Sequence, residues 1–336
     1  MKRKVLFYRI LIAALTMTLL AGLTGCSKKA QQSSADGEKI TQIRYALLSP
    51  GLGTAHIELA IEKGIYKNNG ISLKIINFSK GGAEAMAAVV SKQIDAGNFG
   101  SPILTGISKK IPIKVIGSPA TRENPFVLVA KNEIKSIEDL KGKTVAAGLV
   151  GNGTYQAFLK MIQVHGLTIY DFKTTNNSNS SEALLLLQSG NVAAAITSEP
   201  TNTIIELAGA GHTIEKAVDY FGNYQHSYIF AADGLIQNNP AAVRNLLKSD
   251  LEARKYAREH VEELVAYSKA KYNYDEAVIR KYYENSFKAW NDDGAVNKEG
   301  TRNALRILEE LKETENVDSL KDEDIFDLRF LPSVKQ

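Results

Sequence analysis

The sequence predicts an α/β protein of two α/β lobes joined by two crossings, with a ligand cleft between them. A strand, glycine turn and helix unit that occurs twice carries this reading, together with an element order that repeats after it. Thr144 to Val150 reads TVAAGLV, a buried-strand pattern. After Gly151-Asn152-Gly153-Thr154, the residues Tyr155, Phe158, Leu159 and Ile162 fall on one helical face. Earlier, Ile43 to Leu48 runs into Gly51-Leu52-Gly53-Thr54 and a helix with Ile57, Ala60, Ile61, Gly64 and Ile65 on one side. Each helix ends in glycine plus an aliphatic, Gly70-Ile71 and Gly166-Leu167, and each leads to a strand, LKIINF or TIYDF, and then a polar loop. At an offset of 98, Glu84, Ala85, Ser91, Ile94, Ala96 and Pro102 fall on Glu182, Ala183, Ser189, Val192, Ala194 and Pro200. That period is too long for a solenoid, so two related lobes are expected.

Glycine at such a turn lets the backbone approach something outside the protein. The first free N–H groups of the helix, at the positive end of its dipole, point to the same place. An anion or a carbonyl oxygen suits it. Two lobes presenting these turns at the carboxyl ends of their strands predict one shared crevice.

At the amino terminus, Lys2, Arg3, Lys4 and Arg9 precede an apolar run from Ile10 to Leu23 that is short of a membrane span, as in a removed signal segment. Leu23-Thr24-Gly25-Cys26 resembles the lipobox of bacterial lipoproteins, which implies a signal peptide over 1–25 and lipid, a diacylglycerol with palmitate-type acylation, on Cys26. Such a chain is anchored to a membrane and does not span it. Cys26 is the sole cysteine, so neither a disulfide nor a thiolate metal site is available. Without residues 1–25 the chain has 37 basic and 37 acidic side chains, which removes any charge argument for nucleic acid.

Residues 26–39 (CSKKAQQSSADGEK) have no large aliphatic and read as a flexible tether. The expected first lobe comprises 40–128 and 229–336 with its C-terminal helices, and the second 129–228. Ser136-Ile137-Glu138-Asp139 is a capping-box pattern for one helical turn. The polar loop Thr174 to Ser181 is expected at the crevice lip. Asn239-Pro240 opens a long helix, with Asn as cap. Crossings near Ala130 and His226 form the expected hinge.

LAIEKGIYKNNGISL (59–73), KQIDAGNFGSP (92–102), PFVLVAK (125–131), SIEDLKGKTVA (136–146), GNGTYQAFLKMIQVHGL (151–167) and EALLLLQSGNVAAAITSEP (182–200), with the lipobox, resemble the substrate-binding lipoproteins of ABC importers. The group is the one that takes up aliphatic sulfonates, taurine, nitrate and thiamine-precursor pyrimidines, with the type 2-like periplasmic-binding-protein fold. The resemblance implies a receptor on the extracytoplasmic face of a bacterial membrane that closes on a small solute and delivers it to a permease with a cytoplasmic ATPase. It implies a monomer with no cofactor and no nucleic-acid partner. An anionic or zwitterionic solute is expected, with a neutral heterocycle such as a thiamine-precursor pyrimidine as the alternative.

By position, the family's cleft-lining places correspond to the loop from Ser49 through Gly53 to Thr54, Gly81 and Gly82, Ser101 and Thr121 in the first lobe. In the second lobe they correspond to Asn152, Gly153, Thr154 and Glu199. Ser101, Asn152 and Thr154 would act as short polar donors to an anionic head group. Glu199 argues against a bare anion: it either meets an ammonium or amine N–H of the ligand, or caps the following helix in solvent. Arg122 is expected in solvent, Tyr155 and Tyr224 are aromatic candidates, and His226 is a candidate contact by its place at the second crossing.

His56, His165, His212, His226 and His260 show no metal-ligand spacing, and Asn291 to Gly294 lacks the alternating ligands of a calcium loop. Neither glycine turn has the third glycine of a dinucleotide fingerprint. A pyrimidine-synthesising enzyme shares the fold, but its cysteine-rich motif is missing here, so a binder and not an enzyme is expected. A ligand-sensing domain of a membrane receptor would carry a spanning helix or output domain after Leu331, and a transport receptor is expected instead.

Overall fold

The computed structural model describes residues 40–48, 50–78, 80–120, 124–177 and 179–332. The expected signal segment, the tether with Cys26, and Ser49, Thr121 and Arg122 lie outside them.

Two five-stranded sheets form the frame. The first holds β1 (Thr41–Leu47), β2 (Ile71–Asn77), β3 (Ala96–Phe99) and β4 (Ile113–Gly117). The second holds β5 (Val127–Ala130), β6 (Thr144–Ala146), β7 (Lys173–Thr175), β8 (Ala194–Thr197) and β9 (His212–Lys216). The last strand, β10 (Tyr228–Ala232), returns to the first sheet, so the two orders are β2-β1-β3-β10-β4 and β7-β6-β8-β5-β9. β1 and β6 pair in parallel with both neighbours, while β10 and β5 run antiparallel to both of theirs. Each crossing therefore inserts its strand at the equivalent place in the other lobe, and the doubling seen in the glycine turns extends to the topology.

The helices are α1 (Ala55–Glu62), α2 (Ile65–Asn68), α3 (Gly82–Val90) and α4 (Pro102–Ser108), then α5 (Gly153–Val164), α6 (Ser180–Gln188), α7 (Thr201–Leu207) and α8 (Val218–Phe221). After β10 come α9 (Asp233–Asn238), α10 (Pro240–Glu259), α11 (Val261–Tyr272), α12 (Glu276–Ala289), α13 (Lys298–Glu310) and α14 (Asp322–Ile325). Among the described residues no helix is long and apolar enough to cross a membrane.

Strand alternation sorts β1 between two cores. Ile43, Tyr45 and Leu47 face Ile57 and Ala60 of α1 and Val243, Leu246 and Leu247 of α10. Ala46 joins the opposite core with Ala85, Met86 and Val89 of α3 and Ile103 and Leu104 of α4. α10 begins as its sequence predicts: Pro240 occupies the first turn and the Asn239 side chain accepts from Ala242 N–H at 3.1 Å.

The first crossing runs from Gly117 to Val127, a little before Ala130, because PFVLVA is already a strand of the second sheet. Buried Gln225 stitches the two crossings together. Its amide donates to Ser118 Oγ (2.9 Å), Ala120 O (2.6 Å) and Ser227 O (2.9 Å), and its Oε1 accepts from Asn297 N–H (3.1 Å). α13 adds a third connection behind them. Asn303 Nδ2 donates to Phe221 O and Asn223 O, both at 2.7 Å, Glu310 pairs with Lys160 of α5 at 2.6 Å, and α13 also packs on α4.

TIYDF is not a strand. Ile169–Asp171 is a 3₁₀ turn in which Thr168 and Asp171 form a reciprocal capping box, Tyr170 is 93% exposed, and the strand starts at Lys173. Two satisfied caps outweigh β propensity in so short a segment.

Candidate functional site

A cavity of about 580 Å³ lies between the lobes, and both glycine turns line it. From the first lobe come Gly51, Leu52, Gly53, Gly81, Gly82 and Ser101, and from the second Asn152, Gly153, Thr154, Asn179, Ser180 and Glu199. His226 and Phe126, at the ends of the two crossings, complete the floor, with ring centroids 5.4 Å apart at 84°. Helices α3, α5 and α6 all begin at this wall. The first intrahelical bond of α5 runs from Gln156 N–H to Asn152 O (3.1 Å), so the amides of Gly153 and Thr154 are left for something outside the helix.

Thr54 departs from the expected set. Its hydroxyl is engaged inside its own turn, 3.1 Å from Gly51 O and 3.3 Å from Glu58 Oε1, and it does not reach the cavity wall. Short hydroxyls at a turn bond their own backbone before they reach a ligand. Tyr155 and Tyr224 are also off the wall, the latter packed on Phe221 at 4.9 Å.

The aromatic wall is instead Tyr274 and Tyr282, from the segment around α11 and α12. That pair of helices packs on the first glycine turn: Tyr283 OH donates to Leu52 O at 3.3 Å, and a Cβ on Gly53 would sit 3.1 Å from Tyr282 OH. Gln156 was also outside the expected set. The buried face of α5 is Gln156, Ala157, Phe158, Met161 and Ile162, rotated from the predicted stripe so that Tyr155 and Leu159 are only half-buried. Gln156, 2% exposed, accepts from the Ser101 hydroxyl across the lobes.

Asn152 makes another contact between the lobes at the cavity. It is the N-cap of α5 by position, yet its side chain caps nothing in that helix. Nδ2 donates to Lys80 O at 3.3 Å, and Oδ1 is buried without a hydrogen-bond partner in the protein. The amide lies against Gly81, whose φ of 88° and ψ of −165° belong to a region that only glycine occupies readily.

Glu199 is the one acidic residue on the described wall, and no Lys or Arg is present there. Its carboxylate accepts from Asn202 Nδ2 (2.9 Å) and from Thr203 Oγ1 (2.9 and 2.7 Å), both in α7. The Tyr282 hydroxyl is held above its ordinary pKa, mainly by burial and further by the charge of Glu199. Burial lowers His226 to about 4, so its ring is neutral at neutral pH. Among the described residues no three His, Cys, Asp or Glu side chains gather as metal ligands.

His56 in α1 is buried, packs against Trp290 with ring centroids 4.7 Å apart and planes tilted by 47°, and is lowered to about 3 by burial and by the nearby Arg254. In the unfolded chain it titrates near 6.5. Below that pH the unfolded state binds a proton that the folded state refuses. Stability is therefore full above about pH 6.5 and falls as the pH drops towards 3, by about 1.4 kcal/mol per unit at its steepest. Urea midpoints at pH 7, 6 and 5 should fall less steeply in His56→Phe; an unchanged slope would remove this histidine from the account.

The "Taurine-binding periplasmic protein" of Escherichia coli (strain K12) is 24% identical over 174 residues, covering 52% of this chain and 54% of the relative. The chain thus matches about half the length of that relative. Among solved structures, the periplasmic aliphatic sulphonate binding protein SsuA from Escherichia coli superposes with a TM-score of 0.65 at 20% identity, over 82% of this chain and 94% of the other. The desulfurization enzyme DSZB does so with a TM-score of 0.61 at 13% identity, over 86% and 97%. Both likenesses are likenesses of fold, and this fold carries binders and an enzyme alike. The two-lobed periplasmic-binding fold and a family model described as NMT1/THI5 like, which matches residues 54–264, together place this chain: it belongs to the NMT1/THI5-like family.

Proposed function

We propose that the protein is the extracytoplasmic solute-binding component of an ABC importer. It captures one small polar solute by closing its lobes around it and hands the solute to a membrane permease driven by a cytoplasmic ATPase. Lipid on Cys26 holds it at the membrane surface as a monomer. The observation that carries this reading is the cavity itself: about 580 Å³, walled by both lobes, with the N-termini of α3, α5 and α6 at its rim and the Ser101–Gln156 and Asn152–Lys80 contacts reaching across. This volume falls in the range of small-molecule sites. The taurine-binding relative and the sulphonate-binding neighbour support a solute of that general size and polarity.

The wall favours binding over turnover. Ser101 is bonded to Gln156 and not to a base, and the ring next to neutral His226 is Phe126. Neither pair makes an activated nucleophile. Thermal melting of the protein against taurine, longer alkanesulfonates, nitrate, bicarbonate, aromatic carboxylates and a hydroxymethyl-pyrimidine tests the reading. A true ligand at a hundred times its dissociation constant adds about 2.7 kcal/mol. Chemical conversion of the bound compound would replace the receptor with an enzyme.

A further inference from the structure

We infer that the solute bears a cationic or N–H-donating nitrogen, which the Glu199 carboxylate receives against the tyrosine wall; this deepens the receptor reading and rests on it. The charge of the described wall points this way: one carboxylate, no Lys or Arg, and a neutral His226. A carboxylate has about four acceptor positions. Asn202 and Thr203 occupy part of them from within α7, which fixes the group in place and leaves acceptor capacity over. Glu199 and Tyr282 line the same cavity from opposite walls, and the charge of the carboxylate is felt at the tyrosine hydroxyl.

Hydrogen-bond polarity adds an independent reason. Asn152, on the cavity wall, gives one of its two amide N–H groups to Lys80 O, and its Oδ1 is a buried acceptor with no hydrogen-bond partner in the protein. A buried acceptor of this kind calls for a donor. Tyr274, Tyr282 and Phe126 present aromatic rings, which attract cations when desolvated. The amides at the start of α3 and α5 serve the opposite need, an oxygen end. One solute satisfies all of these if it has nitrogen at one end and an oxyanion or carbonyl at the other. A bare anion leaves Glu199 and Asn152 Oδ1 unanswered.

Taurine and isethionate share the sulfonate and differ as ammonium against hydroxyl, so together they isolate the claim. Titration calorimetry on the full chain, with these two, nitrate and an aminopyrimidine, is expected to show a nitrogen-bearing probe binding at least tenfold tighter than isethionate and nitrate. Glu199→Gln should weaken that probe at least tenfold and so narrow its advantage over isethionate. Glu199→Asp serves if the first variant melts early, and the comparison of probes on the native protein needs no variant. Isethionate or nitrate binding as tightly as the tightest nitrogen-bearing probe, or indifference to Glu199→Gln, overturns the inference and leaves the receptor standing. Absence of binding by every compound in this set and in the wider melting panel removes both.

Discussion

Asp250→Ala should unfold the protein at markedly lower denaturant, with a loss of about 3–5 kcal/mol. Asp250 and Arg254 stand one turn apart in α10, 2% and 1% exposed, and Arg254 Nη1 donates to Asp250 Oδ2. Burial drives the Asp250 pKa up, and Arg254 opposes it. Removing the carboxylate leaves a guanidinium in the core with nothing to balance it, and Arg254 Nε and Nη2 already lack partners in the protein. The pair also underlies the site, because α10 packs on α1, the helix that follows the first glycine turn. The double variant Asp250→Leu, Arg254→Met removes both charges and should recover most of the loss. Equilibrium urea denaturation distinguishes the cases: a single variant as stable as the parent, or a double variant no better than the single, would show that the pair is not what holds this joint.

The twin turns were legible because their signal is local. GLGT and GNGT each follow an apolar run and precede a helical stripe, and the structure brings both to one hollow. The order of the strands was not legible at that level. The crossings near Ala130 and His226 were expected, but the partners of their strands were not: the places of β5 and β10 depend on pairing such as Val127 with Thr197 and Tyr228 with Phe99, and no local pattern announces such partners. TIYDF shows the reverse failure. Thr168 and Asp171 stand at capping-box spacing, so the sequence holds the signal that overrides its aromatic β pattern.

In the site, backbone positions were easier to foresee than side-chain roles. Gly53, Gly81, Gly82 and Gly153 line the cavity, whereas Thr54 turns into its own loop and Asn152 turns to the opposite lobe. A short polar side chain has several partners within reach, and only the folded neighbourhood selects one. Tyr274 and Tyr282 were hidden for a different reason. They lie far along the chain from the turns they cover, in a helical segment whose aromatic stripe reads as ordinary packing. Gln156 had a visible trace, a polar residue beside an otherwise apolar face, and a modest rotation of the helix was enough to bury it.

Gly81→Ala should abolish tight solute binding while leaving each lobe folded. On the closure proposed above, the lobes meet where Asn152 lies against Gly81. A Cβ there would stand 2.2 Å from Asn152 Nδ2 and 2.7 Å from its Cγ, far inside contact distance. Two penalties add. The backbone at φ 88° and ψ −165° strains any L-residue by about 1–3 kcal/mol. The methyl group also expels the Asn152 amide, which breaks its bond to Lys80 O and moves the start of α5 away from the cavity. The first penalty applies wherever the loop keeps its shape, but the second exists only when the lobes touch, so the variant biases the protein towards separation. A ligand can shift such an equilibrium only by its difference in affinity for the two states. With a few kcal/mol set against the binding-competent state, affinity should fall roughly a hundredfold. Asn152→Ala in the Gly81→Ala background removes the clash but not the strain, so a double-mutant cycle read by calorimetry should return the steric part alone. Unaltered affinity in Gly81→Ala would mean that the lobes do not meet at this point when solute is held.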